Sequence, residues 1–274
     1  MSMQLDARQR AMLAEMGVQM FTPPQRTEAL APAPEAAVQP QRARVADVPT
    51  PVAPQAAPSI ARPAEVPVVR PAARPANAIP IALEPRATGI ETMTWDVLAE
   101  TVSGCRACKL CQSRRNKVFG VGDTRPDWLV IGEAPGENED LQGEPFVGQA
   151  GKLLDNMLRP LGVSRKHKVY IANVLKCRPP GNRNPEPEEV AQCEPFLRRQ
   201  VELLQPRMIL AMGRFAVQSL LQTTEPIGRL RGRAHQYNGV PVVVTYHPAY
   251  LLRNLPDKAK AWADLCLALS LMEH

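Results

Sequence analysis

Cysteine spacing is the strongest chemical signal in this chain. Cys105 and Cys108 form a CxxC pair, and Cys177 and Cys193 follow much later in the sequence. A CxxC pair can grip one metal, and two further thiolates would complete a four-cysteine site for zinc or an iron–sulfur cluster. The spacing does not distinguish zinc from an iron–sulfur cluster. It also permits a redox-active CxxC pair, with Cys177 and Cys193 as ordinary core residues. We therefore expect a metal centre, with Cys111 as a competing ligand.

Polar segments that follow predicted strands are the second signal. They are GEAPGENED (132–140), Asn173 with the LKCRPPGNRNP segment after it, and HPAYLLRN, which begins at His247. The first lacks GxGxxG, and the chain has no GxxxxGK[ST], so nucleotide-cofactor sites have no support. His247 precedes Pro248, which restricts its backbone, and a histidine at the end of a parallel strand is a catalytic candidate. A structural histidine and an ordinary turn are the alternatives.

Short apolar runs alternate with helical periodicity from residue 91 onward, which is typical of βα units. This pattern predicts an α/β fold with three α/β/α layers and a central, mainly parallel four-stranded sheet. Ligands bind at the carboxyl ends of such strands, so we expect the three polar segments to converge. The predicted strands are Trp128–Gly132, Val169–Leu175, Met208–Gly213 and Pro241–Tyr246, and the predicted helices lie near 95–102, 148–161, 187–204, 214–221 and 257–272.

The first 90 residues have a different composition from the rest and hold about half of the 29 prolines. Proline, alanine and short polar residues bury too little apolar surface to offset the entropy of ordering. We therefore predict a disordered N-terminal tail, with a short amphipathic peptide at 1–22, a Pro/Ala-rich linker at 23–90 and one domain at 91–274. Residues 3–21 are a candidate docking motif for a replication or repair protein, or else a frayed helix.

Charge and hydropathy exclude some classes of protein. The net charge of +6 is mild and is compatible with a polyanionic partner. No run of 18 apolar residues is present, and the first residues lack a signal-peptide pattern, so membrane and secretory readings have no support. We expect a cytoplasmic protein.

Four motifs in a fixed order resemble one family. They are GEAPGENED, GEPFVGQAGKLL (143–154), NVLKCRPPGNRNPEPEE (173–189) and HPAYLLR (247–253). Together they resemble the uracil-DNA glycosylase superfamily, and with the four cysteines they resemble its family 4, the iron–sulfur type. The resemblance covers about residues 91–274. It implies a monomeric DNA repair enzyme that flips uracil out of DNA and hydrolyses its N-glycosidic bond, leaving an abasic site.

The resemblance also assigns a cofactor and most of the site. It implies a [4Fe-4S] cluster of structural role, held by the four cysteines named above. Asn173 would accept from uracil N3–H and donate to O4, a pairing that cytosine mismatches. Phe146 would stack on the flipped ring, with core packing as its alternative. His247 would hydrogen-bond O2, where negative charge accumulates as the bond breaks.

The first motif departs from the pattern of family 1. Those enzymes carry an Asp and a Tyr where this chain has Ala134 and Gly136. Water positioning is therefore assigned to the backbone turn from Glu133 to Gly136. By family similarity Glu139 is the candidate for crowding C5 of thymine, and a solvated acid is the alternative.

DNA contacts are predicted around the last motif. Leu251 and Leu252 would wedge into the gap left by the flipped base, and Arg253 would contact phosphate. Arg183 and Arg231, with Arg229 and Arg233, form a candidate phosphate-binding rim. A solvated basic surface is the alternative for these arginines.

Three other functions have weaker support in the sequence. A relative that traps the abasic product needs a basic, His-containing insertion after the first motif, and none is present. A non-catalytic iron–sulfur accessory module would not need Asn173, Phe146 and His247 together. A ferredoxin-like electron carrier would cluster its cysteines in sequence.

Overall fold

A computed structural model describes residues 82–273. The predicted docking peptide at 3–21 and the linker up to residue 81 lie outside the described residues. The end of the predicted linker does contact the domain, because Glu84 N–H donates to the Arg106 carbonyl and Arg86 donates to the Ala191 carbonyl. Ile90 is buried. Residues 84–90, which belong to the predicted linker, therefore make contacts with the domain predicted at 91–274.

One sheet organises the described residues. Its strands are β1 (Val121–Gly122), β2 (Trp128–Gly132), β3 (Val169–Asn173), β4 (Met208–Met212), β5 (Ala234–Tyr237) and β6 (Val240–Thr245). Their order in the sheet is β1-β3-β2-β4-β6-β5. The four central strands are parallel, whereas β1 and β5 pair antiparallel at the two edges.

The strand count corrects the sequence prediction: the sheet has six strands, not four. All four predicted strands are present, within one or two residues of their predicted ends. The two additional strands carry no apolar run, since β1 is only two residues long and β5 reads AHQY with half of its positions exposed. Sequence periodicity detects buried strands, and these edge strands are not buried.

Helices cover both faces of the sheet, which confirms the three-layer architecture. On one face of the sheet, Trp128 and Val130 pack against the helix residues Met157 and Trp262. On the other face, Ile131 belongs to a core cluster with Leu197 and Val201 of the next helical layer. Strands buried on both faces are near-continuously apolar, as these are. The helices are α1 (Trp95–Gly104), α2 (Glu137–Gln142), α3 (Gln149–Leu158), α4 (Pro187–Leu204), α5 (Arg214–Leu221), α6 (Ile227–Leu230), α7 (Pro248–Leu251) and α8 (Lys258–Met272).

Sheet register brings the polar segments together. In the parallel ladder, Gly132 at the end of β2 pairs with Asn173 at the end of β3. Met212 at the end of β4 pairs with Thr245, two residues before His247. All four parallel strands therefore end at the same edge, where their following loops meet.

No helix in the described part of the chain is long and apolar enough to cross a membrane.

Candidate active site

A cavity of about 840 Å³ opens at the carboxyl ends of the parallel strands, and we call it the strand-end cavity. Segments that follow all four parallel strands contribute to its walls, as the position of the strand ends requires. Among the residues predicted from sequence, its lining includes Glu133, Ala134, Gly136, Glu139, Phe146, Asn173, Arg183, His247 and Arg253.

His247 is held as a neutral hydrogen-bond donor. It precedes α7, and its Nδ1 accepts from the Ala249 backbone N–H at 3.1 Å. Burial lowers the pKa of His247 to about 4, although nearby Glu139 acts in the opposite direction. At neutral pH the ring is therefore uncharged, and because Nδ1 is an acceptor the proton lies on Nε2.

Phe146 stacks on His247, with ring centroids 5.3 Å apart and an interplanar angle of 28°. Its backbone has φ 56°, a left-handed conformation that is unusual for an aromatic residue. Arg165 holds it there: Nη1 donates to the Pro145 carbonyl at 2.8 Å, Nη2 donates to the Phe146 carbonyl, and Nε pairs with Asp155 at 2.6 Å. Arg165 thus fixes the backbone on which the stacked ring stands.

Close packing against Gly151 keeps the same loop in place. A Cβ at Gly151 would overlap the Phe146 carbonyl, so only glycine lets α3 approach this loop. The loop is therefore held by α3 on one side and by Arg165 on the other.

Asn173 presents an unpartnered polar atom to the cavity. The residue is 2% exposed, and its Oδ1 has no hydrogen-bond partner among residues 82–273. Buried polar atoms are nearly always paired, so this oxygen is available to accept a hydrogen bond from a ligand in the cavity. The Asn173 carbonyl accepts from Lys176 Nζ at 2.8 Å, which fixes its backbone. A Cβ at Gly132 would overlap Asn173 Oδ1 and lie 2.6 Å from Phe146 Cζ, so glycine is required there.

Glu133 supplies a carboxyl group whose protonation changes near neutral pH. Burial raises its pKa to about 7, and Arg214 opposes this only in part. A group with that pKa in a cavity is suited to proton transfer or to orienting water.

Glu139 is not a solvated acid. Its Oε1 accepts from the backbone N–H groups of Val147 at 2.9 Å and Gly148 at 3.2 Å, so it holds the segment after Phe146. A Cβ at Gly136 would lie 2.6 Å from Glu139 Oε2, which shows how closely the first motif packs on this carboxylate.

Two predicted DNA contacts need correction. Leu251 is 0% exposed and belongs to the core beside Leu154 and Trp262, so it is not available to DNA. Leu252, at 43% exposure, is the exposed member of the pair. Arg231 is bound to Asp264 at 2.7 Å, with its side chain largely buried, so its charge is already compensated.

The other basic positions differ from one another. Arg183 lines the cavity, but it pairs with Glu189 at 2.5 Å and Glu186 at 3.2 Å. Within residues 82–273, no carboxylate lies in ion-pair distance of Arg253 or Arg214, although both line the cavity. These two are therefore the better candidates for binding phosphate.

Sequence reasoning missed several cavity residues. The most prominent are Arg214, Phe215, Tyr246 and Tyr250. Arg214 and Phe215 follow the end of β4, so their position after a parallel strand is the signal that could identify them. Arg165 carries no comparable signal, because nothing in its sequence neighbourhood indicates that it reaches Phe146.

The four predicted cysteine ligands surround one small second cavity, which we call the cysteine cavity. Cys111, Arg114 and Lys176 also line it. Arg114 donates to Cys177 Sγ at 2.6 Å and to the Cys105 carbonyl. The loop that carries Cys105 and Cys108 begins where α1 ends, and Cys193 lies on α4. The fold thus brings together cysteines that are far apart in sequence.

The chemistry of these donors fits a cluster held by thiolates. Burial raises the pKa of Cys177 to about 11 and that of Cys193 to about 12, so both thiols stay protonated unless a cationic group displaces the protons. Between residues 82 and 273, no group of three or more His, Cys, Asp or Glu side chains is placed to hold a single metal ion. Four cysteine thiols around one cavity are a donor set that iron–sulfur clusters use.

Comparison of the sequence with protein-family models identifies its superfamily. The family model described as "Uracil DNA glycosylase superfamily" matches residues 119–266. The chain belongs to the uracil-DNA glycosylase superfamily. The matched segment includes all of the predicted base-contacting residues and two of the four cysteines.

Curated relatives within the superfamily are similar over most of their length. The type-4 uracil-DNA glycosylase of Saccharolobus solfataricus is 45% identical over 170 residues, which are 59% of this chain and 78% of the relative. The type-4 enzyme of Archaeoglobus fulgidus is 46% identical over 57% of this chain and 82% of its own length. That of Thermotoga maritima is 44% identical over 60% of this chain and 86% of its own length. The resemblance to family 4 inferred from the motifs is therefore confirmed.

Proposed function

We propose that this protein excises uracil from DNA by hydrolysing the N-glycosidic bond of a flipped nucleotide, leaving an abasic site. The observation that carries the proposal is the buried, unpartnered Oδ1 of Asn173 in the same cavity as the stacked pair Phe146 and His247. A flat base with two carbonyls can stack on an apolar ring face, pair with an amide and accept a hydrogen bond from a neutral imidazole. The cavity provides all three groups.

Base selection follows from the amide of Asn173. Its oxygen accepts from uracil N3–H, and its NH₂ donates to O4. Cytosine presents an acceptor at N3 and a donor at N4, so both pairings would fail inside a buried site. Gly132 and Lys176 hold the amide at the required position.

His247 stabilises the leaving group. As the glycosidic bond breaks, negative charge accumulates on uracil O2, and a donor already aimed at that position lowers the barrier. The pKa of about 4 keeps the ring neutral, so Nε2–H donates without transferring a full charge to the site.

Glu133 is the group that orients the attacking water. The sequence assigned this role to the Glu133–Gly136 backbone turn, and the carboxyl with a pKa of about 7 refines that assignment to a side chain. When ionised, it accepts a hydrogen bond from water and favours attack on the sugar carbon.

Glu139 and Phe146 define the space around C5 of the base. Because Glu139 is bonded to the Val147 and Gly148 amides, it cannot easily move away from an added methyl group. We propose that thymine is excluded by this fixed wall.

Cys105, Cys108, Cys177 and Cys193 would hold a [4Fe-4S] cluster. When bound, the cluster supplies a cross-link between the loop at 105–108, the segment after β3 and α4. Arg114 donates to the Cys177 sulfur, and a hydrogen bond of this kind offsets thiolate charge.

DNA binding uses the mouth of the strand-end cavity. Arg253 and Arg214 contact phosphate, and the exposed Leu252 fills the gap left by the flipped nucleotide. Affinity should fall with salt roughly in proportion to the phosphates neutralised. We propose that the protein acts as a monomer in the cytoplasm, where thiols stay reduced.

The test is cleavage of a uracil-containing oligonucleotide by the purified, iron-loaded protein, followed by hot alkali, which breaks the strand at an abasic site. We expect scission at uracil and none at cytosine or thymine. His247→Ala should lower kcat about 10²- to 10³-fold. His167→Ala, at an exposed histidine outside the cavity, is the matched control and should keep full activity. An iron-loaded wild type that leaves uracil intact would overturn the proposal and favour a non-catalytic DNA-binding module.

A further inference from the structure

The strand-end cavity has more lining residues than the recognition of one base requires. Asn173, Phe146 and His247 account for part of its lining. The lining also includes Phe215, Ile227, Tyr246 and Tyr250, which we call the tyrosine end of the cavity and which have no role in the excision step proposed above.

The two tyrosines form a rigid platform at that end. Their rings stack with centroids 5.0 Å apart and an interplanar angle of 26°. Arg231 lies over Tyr246 at 4.7 Å from the ring centroid and is itself held by Asp264. Arg231, which the sequence predicted to bind DNA, therefore has a different role, which is to support the stacked tyrosines from the side of Tyr246.

The outer tyrosine is anchored although it is exposed. Tyr250 has 36% of its surface exposed, yet its hydroxyl donates to Asp257 Oδ2 at 2.6 Å. An exposed ring is usually free to change rotamer, whereas this one is fixed at both its face and its hydroxyl. Rigid exposed aromatic rings are the platforms on which nucleobases stack in single-stranded DNA sites.

The platform lies beside the leaving-group donor. Tyr250 lies in α7, which His247 directly precedes, and its N–H donates to the His247 carbonyl at 2.9 Å. Arg253 also lines the cavity and follows within the same motif. A strand whose uracil contacts His247 would therefore bring its next nucleotide to Tyr250, with a phosphate near Arg253.

We propose that this end of the cavity is a second nucleotide subsite, in which the base adjacent to the flipped uridine stacks on Tyr250. The proposal rests on the DNA substrate of the proposed function. It assigns to Tyr250, Tyr246 and the Arg231–Asp264 pair the task of binding the neighbouring nucleotide. It also makes the enzyme sensitive to whether that neighbour carries a base.

The test is a double-mutant cycle between protein and DNA, measured as binding. The probe is a single-stranded oligonucleotide with a tetrahydrofuran abasic analogue at the target position, so no excision is needed. The base of the nucleotide on its 5′ or 3′ side is then removed in separate probes. For the wild type, removal on one side should weaken binding roughly 5- to 150-fold. For Tyr250→Ala, the same removal should change binding by less than about twofold.

Two variants separate stacking from folding. Tyr250→Phe loses the bond to Asp257 but keeps the ring, so it should retain most of the sensitivity to the neighbouring base. Val97→Ala, at an exposed apolar position on α1, is the matched control and should behave as the wild type. The subsite is overturned if Tyr250→Ala keeps the full sensitivity, or if the wild type ignores both neighbours. A protein that shows this coupling but leaves uracil uncut would instead keep the subsite and refute the proposed excision.

Discussion

The strand-end cavity and the cysteine cavity differ in how their polar groups are paired. In the first, protein groups hold one another: Phe146 stacks on His247, and Arg165 fixes the Phe146 backbone. Of the buried polar atoms without a partner among residues 82–273, the Asn173 oxygen is the one that belongs to the lining of this cavity. In the second, buried thiols lie close to one another, and burial raises the pKa of Cys177 and Cys193 far above neutral. The first is organised for a neutral ligand with hydrogen bonds to offer, and the second for a cationic one.

The two cavities are connected through residues that lie between them. Ala134 lines the strand-end cavity and also packs against the buried cluster that contains Cys177 and Cys193. Lys176 lines the cysteine cavity, yet its Nζ donates to the Asn173 carbonyl at 2.8 Å and to Gln200 Oε1 at 2.5 Å. The comparison teaches that the cysteine region supports the fold beneath the strand-end cavity, whose own groups are positioned by contacts among themselves. Variants on each side should therefore fail differently.

The largest effect is expected from Cys193→Ser. The change removes a buried ligand on α4, so iron binding and cooperative folding should be lost together. The measurements are iron and acid-labile sulfide per chain, and thermal unfolding. Cys266→Ser, at a cysteine on α8 outside the cysteine cavity, should keep both. Full iron content in Cys193→Ser, with loss in Cys111→Ser, would move the ligand assignment to Cys111.

Gly132→Ala should damage the strand-end cavity alone. The added methyl overlaps Asn173 Oδ1 and meets the Phe146 ring, so the amide must shift. A displacement of this kind should lower kcat/KM about 10²-fold while iron content stays unchanged. Gly104→Ala is the control, because no atom lies within 4 Å of its new methyl. Equal losses of iron and activity in Gly132→Ala would break the proposed division between the two cavities.

Arg165→Gln should have a smaller effect that acts through Phe146. Losing the guanidinium bonds to the Pro145 and Phe146 carbonyls frees a loop with a left-handed backbone, and kcat/KM should fall at least about tenfold, mostly through KM. Asp155→Asn weakens the ion pair but leaves both carbonyl bonds, so it should have little effect. Arg165→Lys should recover part of the loss. If Asp155→Asn is as impaired as Arg165→Gln, the role of Arg165 is general stability instead of positioning.

The smallest effect is a pH dependence. The pKa of Glu133 is raised to about 7, so its carboxylate form is gained as pH rises through 7 and lost below it. His247, with a pKa of about 4, stays neutral across this range. The value of kcat/KM should fall about tenfold from pH 8 to pH 6. Glu133→Gln should have a lower, flat profile, and an unchanged slope in that variant would assign the titration to another group.

Much of the architecture was predictable because it depends on buried apolar runs. The four parallel strands and the long helices α4 and α8 agree with their predicted bounds within two residues. The edge strand β5 was not predictable, since its residues are half-exposed and polar. Edge strands form because a buried neighbour offers free backbone hydrogen-bonding groups, a signal that lies in another part of the chain.

The candidate site was predictable in its residue types and less so in its contacts. Asn173 and His247 line one cavity, as the strand-end argument expected, and Phe146, which the family resemblance assigned, lines it too. Leu251 and Leu252 are adjacent and alike in sequence, yet one is in the core and the other is exposed. Arg231 and Arg253 look equally available in the sequence, and only the packed structure places Asp264 beside the first.

By itself, the sequence determined the order of the buried strands and long helices, the polar residues at the strand ends and the presence of a CxxC pair with further cysteines. These properties follow from local periodicity and from residue type, which need no partner. The tertiary structure decided which groups were already bound: Arg165 to the Phe146 loop, Lys176 to Asn173, and Tyr250 to both Tyr246 and Asp257. The physical reason is that a hydrogen bond or a stacked ring depends on distances of a few ångströms between residues distant in the chain, and only packing sets those distances.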